Sequence, residues 1–248
     1  RPPRSTLSSS SAASDVYKRQ YLGMVKKRKD FDFSNATDIK NYLKIAKKAA
    51  SIQISELKKI KKVFNNSFVK AVDLILNCKG KVIFAGIGKS GLIGQKIVAT
   101  LCSTGTRSVY MHAAEAIHGD LGIYNPGDPT ILISKSGNTE EIVRLIPILK
   151  EFKSPLIAIV GNLDSFIAKN SDIVLNGTVT KEIDPLGVVP TTSSLVALAI
   201  GDALASVLMV QRDFDKEDFA KNHPGGELGK QLALKLKALC TPLMMWLK

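Results

Sequence analysis

Between residues 36 and 64, apolar side chains recur in steps of three, four and seven: Ile39, Leu43, Ala46, Ala50, Leu57, Ile60 and Phe64. A helix repeats every 3.6 residues, so this spacing predicts one long amphipathic helix. Asn65, Asn66 and Ser67 then offer a break and an N-cap. A second helix is predicted over about 67–78, ending near Gly80, a residue suited to a C-cap. From Lys81 the pattern changes. Runs such as VIFA, TILI and LIAIV are almost continuously apolar, as expected of strands buried on both faces. The pattern predicts strands at 81–86, 107–111, 129–134, 155–160 and 172–176. Helices are predicted near 89–103, 138–152, 164–170 and 191–211. Strand–helix alternation of this kind predicts an α/β protein: a doubly wound, five-stranded parallel sheet preceded by helices.

The segment SLVALAIGDALASVLMV (194–210) is apolar enough to raise a membrane helix. It is short for a span, carries Gly201 and Asp202 and is flanked by polar loops, so a helix in the core or a subunit interface is expected instead. Residues 212–237 read as helix, a His-Pro-Gly-Gly turn, then helix. No repeat of solenoid length is present.

Composition narrows the function classes. The chain has 248 residues, 45% of them hydrophobic, enough for a substantial core in one domain. The net charge of +13 raises nucleic acid as a partner, but its distribution weakens that reading. Residues 1–30 hold eight Lys/Arg against two Asp, and much of the remaining excess lies in Lys-rich helices between Lys40 and Lys70. Neither zinc-finger spacing nor aromatic–basic interleaving accompanies it, so neither nucleic acid nor a membrane is expected as a partner. Three cysteines, Cys78, Cys102 and Cys240, stand far apart, which fits a reducing, cytoplasmic setting. The Ser-rich start lacks the apolar core of a secretory signal. Residues 1–30 read as a disordered, non-native leader, with Met24 a plausible start.

The chemistry concentrates in a repeated design, in which an apolar strand runs into a small, hydroxyl-rich loop that opens into a helix. It occurs at 81–94 as KVIFAGIGKSGLIG and at 130–142 as TILISKSGNTEEI. Backbone N–H groups and the helix dipole favour an anion such as phosphate at such loops. GIGKSG has the glycines of a dinucleotide fingerprint, but no acidic ribose partner closes the next strand, where the chain reads VYMHAAE. Lys89 therefore stands beside an anion, stabilises a developing oxyanion, or is a solvated turn lysine. Ser90 beside it joins the candidate substrate-binding residues. In SKSGNTEE, Ser134, Ser136 and Thr139 can donate to phosphate oxygens. Glu140 and Glu141 complement the helix dipole or face the ligand.

All three histidines fall in loop-rich segments. In HAAEAIHGD, a helical turn would put His112 and Glu115 on one face, close to His118, for substrate hydroxyls rather than a required metal. His223 precedes the Pro-Gly-Gly turn. Glu182, in KEIDPLG after the last strand, faces the pocket as a general base or not at all. Proton abstraction beside a carbonyl needs a carboxylate or His and a way to stabilise an enediolate, and Glu182, Glu141, His118, His223 and Lys89 supply such a set.

Taken together, GIGKSG, STGT, HAAEAIHGDLG, SKSGNTEEI, KEIDPLGVVPTTSS, GDALA and DFAKNHPGGELG resemble the sugar isomerase (SIS) domain family, and within it the D-arabinose 5-phosphate isomerases. The resemblance spans about 31–237. It implies a flavodoxin-like fold, a homotetramer, no cofactor, and reversible conversion of D-arabinose 5-phosphate to D-ribulose 5-phosphate for Kdo in lipopolysaccharide or capsule. It implies catalytic roles for Lys89, Glu141, Glu182 and His223, and substrate contacts for Gly105, Thr106, His112 and His118. At the position of His112 the family can also bind zinc, which inhibits and is not required. Two departures stand out. Lys135 occupies a second-loop position where relatives often have Asn, implying altered phosphate affinity or sugar preference. Many family members also continue into two CBS modules, whereas this chain closes with a tail at 238–248, as a short or truncated form. The rival readings are an isomerase for another phosphosugar on the same fold and a non-catalytic phosphosugar-binding regulator.

Overall fold

The computed structural model describes residues 36–227 and 229–231. The expected leader at 1–30 and tail at 238–248 lie outside the described residues. The chain divides into two units at Lys47, within the first helix. That helix, α1, covers Ala36–Lys59. The apolar stripe predicts a helix continuing to residue 64. The helix instead tightens into a 3-10 turn over Ile60–Val63. Helix α2 (Asn66–Leu76) is capped by Asn65, whose Oδ1 accepts from the Ser67 N–H at 2.9 Å. It closes at Asn77, ahead of Gly80. Gly80 instead backs onto the buried Asp128, whose Oδ1 would lie 1.9 Å from a Cβ at that position.

The strands are β1 (Val82–Gly86), β2 (Ser108–His112), β3 (Thr130–Ser134), β4 (Leu156–Val160) and β5 (Ile173–Asn176). Between and after them come α3 (Gly88–Ser103), α4 (Glu140–Glu151), α5 (Phe166–Lys169), α6 (Thr192–Gln211) and α7 (Lys216–Asn222). All pairings are parallel and the order is β2-β1-β3-β4-β5, the flavodoxin-like arrangement that the family resemblance implies.

Side-chain alternation builds a core on each face. Val82, Phe84, Ile131, Ile133, Ile157 and Ile159 pack with α2, α3 and α6. Ile83, Ala85, Leu132, Ala158 and Val160 pack on the other face with α4 and α5. Strands buried on both sides explain why their runs are unbroken in the sequence. Helix α6 is long and apolar enough to cross a membrane, but Val196, Ile200, Leu204 and Leu208 are buried in the first core. Gly201 lets α6 approach α3 closely, since a Cβ there would meet Ile97 Cδ1 at 2.4 Å. Because the chain leaves β1 for one edge and returns to β3 beside it, the loops after β1 and β3 diverge at the carboxyl ends of neighbouring strands. Such a switch point opens a crevice where ligands bind.

Candidate active site at the carboxyl ends of the strands

The loop after β3 is braced from within. Ser134 is buried at the strand end, and its hydroxyl lies 2.7 Å from that of Thr139 and accepts from the Gly137 N–H at 3.0 Å. Gly137 adopts φ +66°, and a Cβ there would meet Ser165 Oγ at 2.0 Å, so only glycine fits this turn. Asn138 Oδ1 accepts from Phe166 N at 2.9 Å, and the Ile167 N–H donates to Gly137 O at 3.0 Å, which ties the loop to α5. Ser136 is exposed, and Thr139 is the N-cap of α4 with no side-chain cap bond of its own. The first turn of α4 therefore presents N–H groups beside these two hydroxyls, while Ser134 holds the loop in shape.

The loop after β1 is tight for a related reason. Tyr110 OH donates to Gly86 O at 2.8 Å, and a Cβ on Gly91 would meet that hydroxyl at 2.4 Å. Lys89 stands exposed at the start of α3. Ser90, half-buried, faces a narrow cleft lined also by Ser134, Lys135, Gly161, Gly177, Ser193 and Ser194.

Glu182, 5% exposed, is bonded to two residues that line the cleft, Lys135 and Ser193. Its Oε2 accepts from Thr191 N (2.9 Å), Thr191 Oγ1 (2.9 Å) and Ser193 N (3.2 Å). Its Oε1 accepts from Ser193 Oγ (2.5 Å) and lies 2.9 Å from Lys135 Nζ. Thr191 and Ser193 start α6, so the carboxylate caps that helix where its positive end favours an anion. Burial alone would raise the Glu182 pKa. The bonds from Lys135, from the Ser193 hydroxyl and from the Thr191 and Ser193 amides outweigh burial and hold it at about 2, against an ordinary 4.5. The same segment is pinned a second time. The buried Glu56 accepts from Thr180 N at 3.0 Å and from the Thr180 hydroxyl, and pairs with Lys59 at 2.7 Å.

The remaining candidates divide between the two ends of the sheet. His112 closes β2 in register with Gly86, at the cleft end, and its buried Nδ1 has no hydrogen-bond partner among the described residues. His112 ends the strand, and the Glu115 N–H donates to His112 O at 3.0 Å, so the two residues close one tight turn that leads into the 3-10 turn Ala116–His118. His118 is exposed in that turn, and Glu141 is exposed in the first turn of α4. Among the described residues, no three of His, Cys, Asp and Glu converge as a metal set. Gly105, Thr106 and His223 lie at the opposite, amino end of the strands. Gly105 and Thr106 precede β2, and Phe214 packs against Gly105. Asn222 beside His223 donates to Ser103 O at 3.2 Å, and His223 stacks on Phe219 with ring centres 3.9 Å apart. Thr106 Oγ1 is buried without a partner among the described residues and lines a second cavity with Lys79, Arg107 and Arg212. One chain therefore does not bring these three residues to its own cleft.

Three contributors are not apparent from patterning. Lys135 shows only as a departure from relatives. Thr191 and Ser193 carry a faint signal, the run of four hydroxyl residues at 191–194 that opens an otherwise apolar helix.

Comparison with known proteins bears on this cleft. The SIS domain family matches residues 75–207. The chain is 49% identical over 176 residues to arabinose 5-phosphate isomerase KpsF of Escherichia coli O6:H1 strain CFT073, covering 71% of this chain and 54% of that protein. It is 44% identical over 206 residues to arabinose 5-phosphate isomerase KdsD of Escherichia coli strain K12, covering 83% of this chain and 60% of that protein. The chain thus spans a little over half the length of these curated relatives. Among solved structures, an E. coli CFT073 protein in complex with arabinose 5-phosphate superposes with a TM-score of 0.68 at 38% identity, covering 77% of this chain and all of that one.

Proposed function

Because the chain belongs to the SIS-domain family, we propose that it is an aldose–ketose isomerase interconverting D-arabinose 5-phosphate and D-ribulose 5-phosphate. The observation that carries this reading is the ionised, buried Glu182 beside a cleft built by two hydroxyl-rich loops at the sheet's switch point. The phosphate docks on Ser136, Thr139 and the first turn of α4, with Ser134 bracing the loop and Lys89 and Ser90 across the cleft. With the phosphate fixed, C1 and C2 of the open-chain sugar reach toward Glu182. A carboxylate removes the proton from C2 of the aldose, the electron pair forms the enediolate, and the proton returns to C1. Glu182 is the base, and Lys89 and Glu141 stabilise and relay charge. His112 and His118 contact hydroxyls.

His223 handles ring opening, supplied by a neighbouring copy. The partition of candidates supports this assignment: Gly105, Thr106 and His223 share the amino end, away from the cleft of their own chain. The unpartnered His112 Nδ1 at one end and Thr106 Oγ1 at the other fit a site completed between copies. We accordingly propose a homotetramer working in the cytoplasm, where the free thiols of Cys78 and Cys102 persist, and supplying a precursor of Kdo. The test is to give the purified protein D-arabinose 5-phosphate in buffer containing EDTA and follow ketopentose phosphate over time, alongside six- and seven-carbon phosphosugars. The reading predicts rapid formation from the pentose. A folded protein that forms none, or that prefers another sugar, would overturn it.

A further inference from the structure

Glu182 presents a geometric problem for its proposed chemistry. A carboxylate has about four lone-pair directions, and here five donors occupy them. Oε2 is filled by Thr191 and Ser193, including two backbone amides that cannot leave without unwinding the start of α6. Oε1 is held by the Ser193 hydroxyl and by Lys135. Of these partners only Lys135 sits on a long flexible stem, is 36% exposed, and comes from a different loop. That loop also carries Ser136 and Thr139.

We infer that Lys135 is a positioning residue for Glu182: its ammonium holds the carboxylate ionised at the cleft wall, and its withdrawal frees Oε1 to accept a proton. Among the described residues, no other charged side chain pairs with Glu182. The first turn of α6 has no acidic residue, and Lys181 on the same segment is exposed. Asp184 accepts from the amides of its own loop, at Leu186, Val188 and Val189, and the Glu56–Lys59 pair reaches only Thr180. A carboxylate left with the full donor set has little proton affinity near neutral pH and is a weak base. Lys135 is thus both what orients Glu182 and what restrains it. The inference rests on the isomerase reading of this cleft.

The test does not need turnover. Protein carrying 13C at the glutamate carboxyls is titrated by NMR as wild type, K135M and K135R, with E182Q assigning the signal and a thermal transition confirming the fold. In wild type and K135R, Glu182 should stay ionised down to the acid transition. In K135M it should titrate at a pH about one unit or more higher, while the KM for D-arabinose 5-phosphate changes less than about threefold. If K135M titrates like wild type, the inference fails. It fails equally if the main effect of K135M is a rise of about tenfold or more in KM and in the Ki of inorganic phosphate, which would make Lys135 a phosphate ligand. Should wild type turn over no pentose phosphate, the isomerase reading falls separately while the titration still decides the link between Lys135 and Glu182.

Discussion

The two ends of the sheet carry different halves of the proposed chemistry. At the carboxyl end lie the braced loop 134–139, Lys135, His112 and the five-fold bonded Glu182. At the amino end lie Gly105, Thr106 and His223, next to a cavity lined by Lys79, Arg107 and Arg212. Parallel strands of five residues separate these ends by about 16 Å, too far for side chains of one chain to meet over one sugar. The lesson is that a parallel sheet sorts candidates by whether they follow or precede a strand. Loops after strands can share a crevice, while residues before strands must serve a second copy or stability.

The comparison can be broken first at its two leading residues. E182Q should lower kcat by about 10²- to 10⁴-fold with little change in KM, because the amide keeps the shape but cannot take a proton. H223Q should cost about 10²-fold if ring opening depends on that histidine. Steady-state kinetics checks both, and near-normal turnover in either variant removes that end from the site. A smaller effect should come from G137A. Its Cβ falls 2.0 Å from Ser165 Oγ on a backbone at φ +66°. Stability should drop by about 1–3 kcal/mol, measured by urea unfolding, with KM rising more than kcat falls. An unchanged KM would argue against phosphate at this loop.

The smallest effect concerns acid stability. The Glu182 pKa falls from 4.5 to about 2 on folding, so its contribution is present above pH 4.5 and is lost as the pH falls through 2. The urea midpoint of wild type should therefore decline more steeply between these values than that of E182Q. Parallel declines would mean that the Lys135, Thr191 and Ser193 bonds do not govern that carboxylate.

Much of the fold is legible in the sequence because strands buried on both faces leave unbroken apolar runs, and because Asn65 marks a helix start in its own right. The cleft is legible as two loops, since glycines and hydroxyls after strands have a local signature. What escapes is any feature that depends on distant partners. Glu56 sits in an amphipathic helix like any surface glutamate, yet is buried against Thr180, 124 positions away. Lys135 looks like a solvated loop lysine until β5 and α6 bring Glu182 to it. His112 belongs to β2, paired with Gly86, and also opens the turn that Glu115 closes, a double role that spacing alone does not show. No spacing rule separates Gly105, Thr106 and His223 from the cleft residues, because the two ends of a sheet alternate along the chain.

The central claim is that one isomerase site draws Glu182 from one chain and His223 from another. It is tested most directly by unfolding and refolding E182Q and H223Q chains together and measuring ketopentose phosphate formed from D-arabinose 5-phosphate. Each variant alone should be nearly silent, while pairing at random in the mixture should restore about a quarter of the wild-type sites. A mixture of verified hybrid oligomers as silent as its parents would contradict the account.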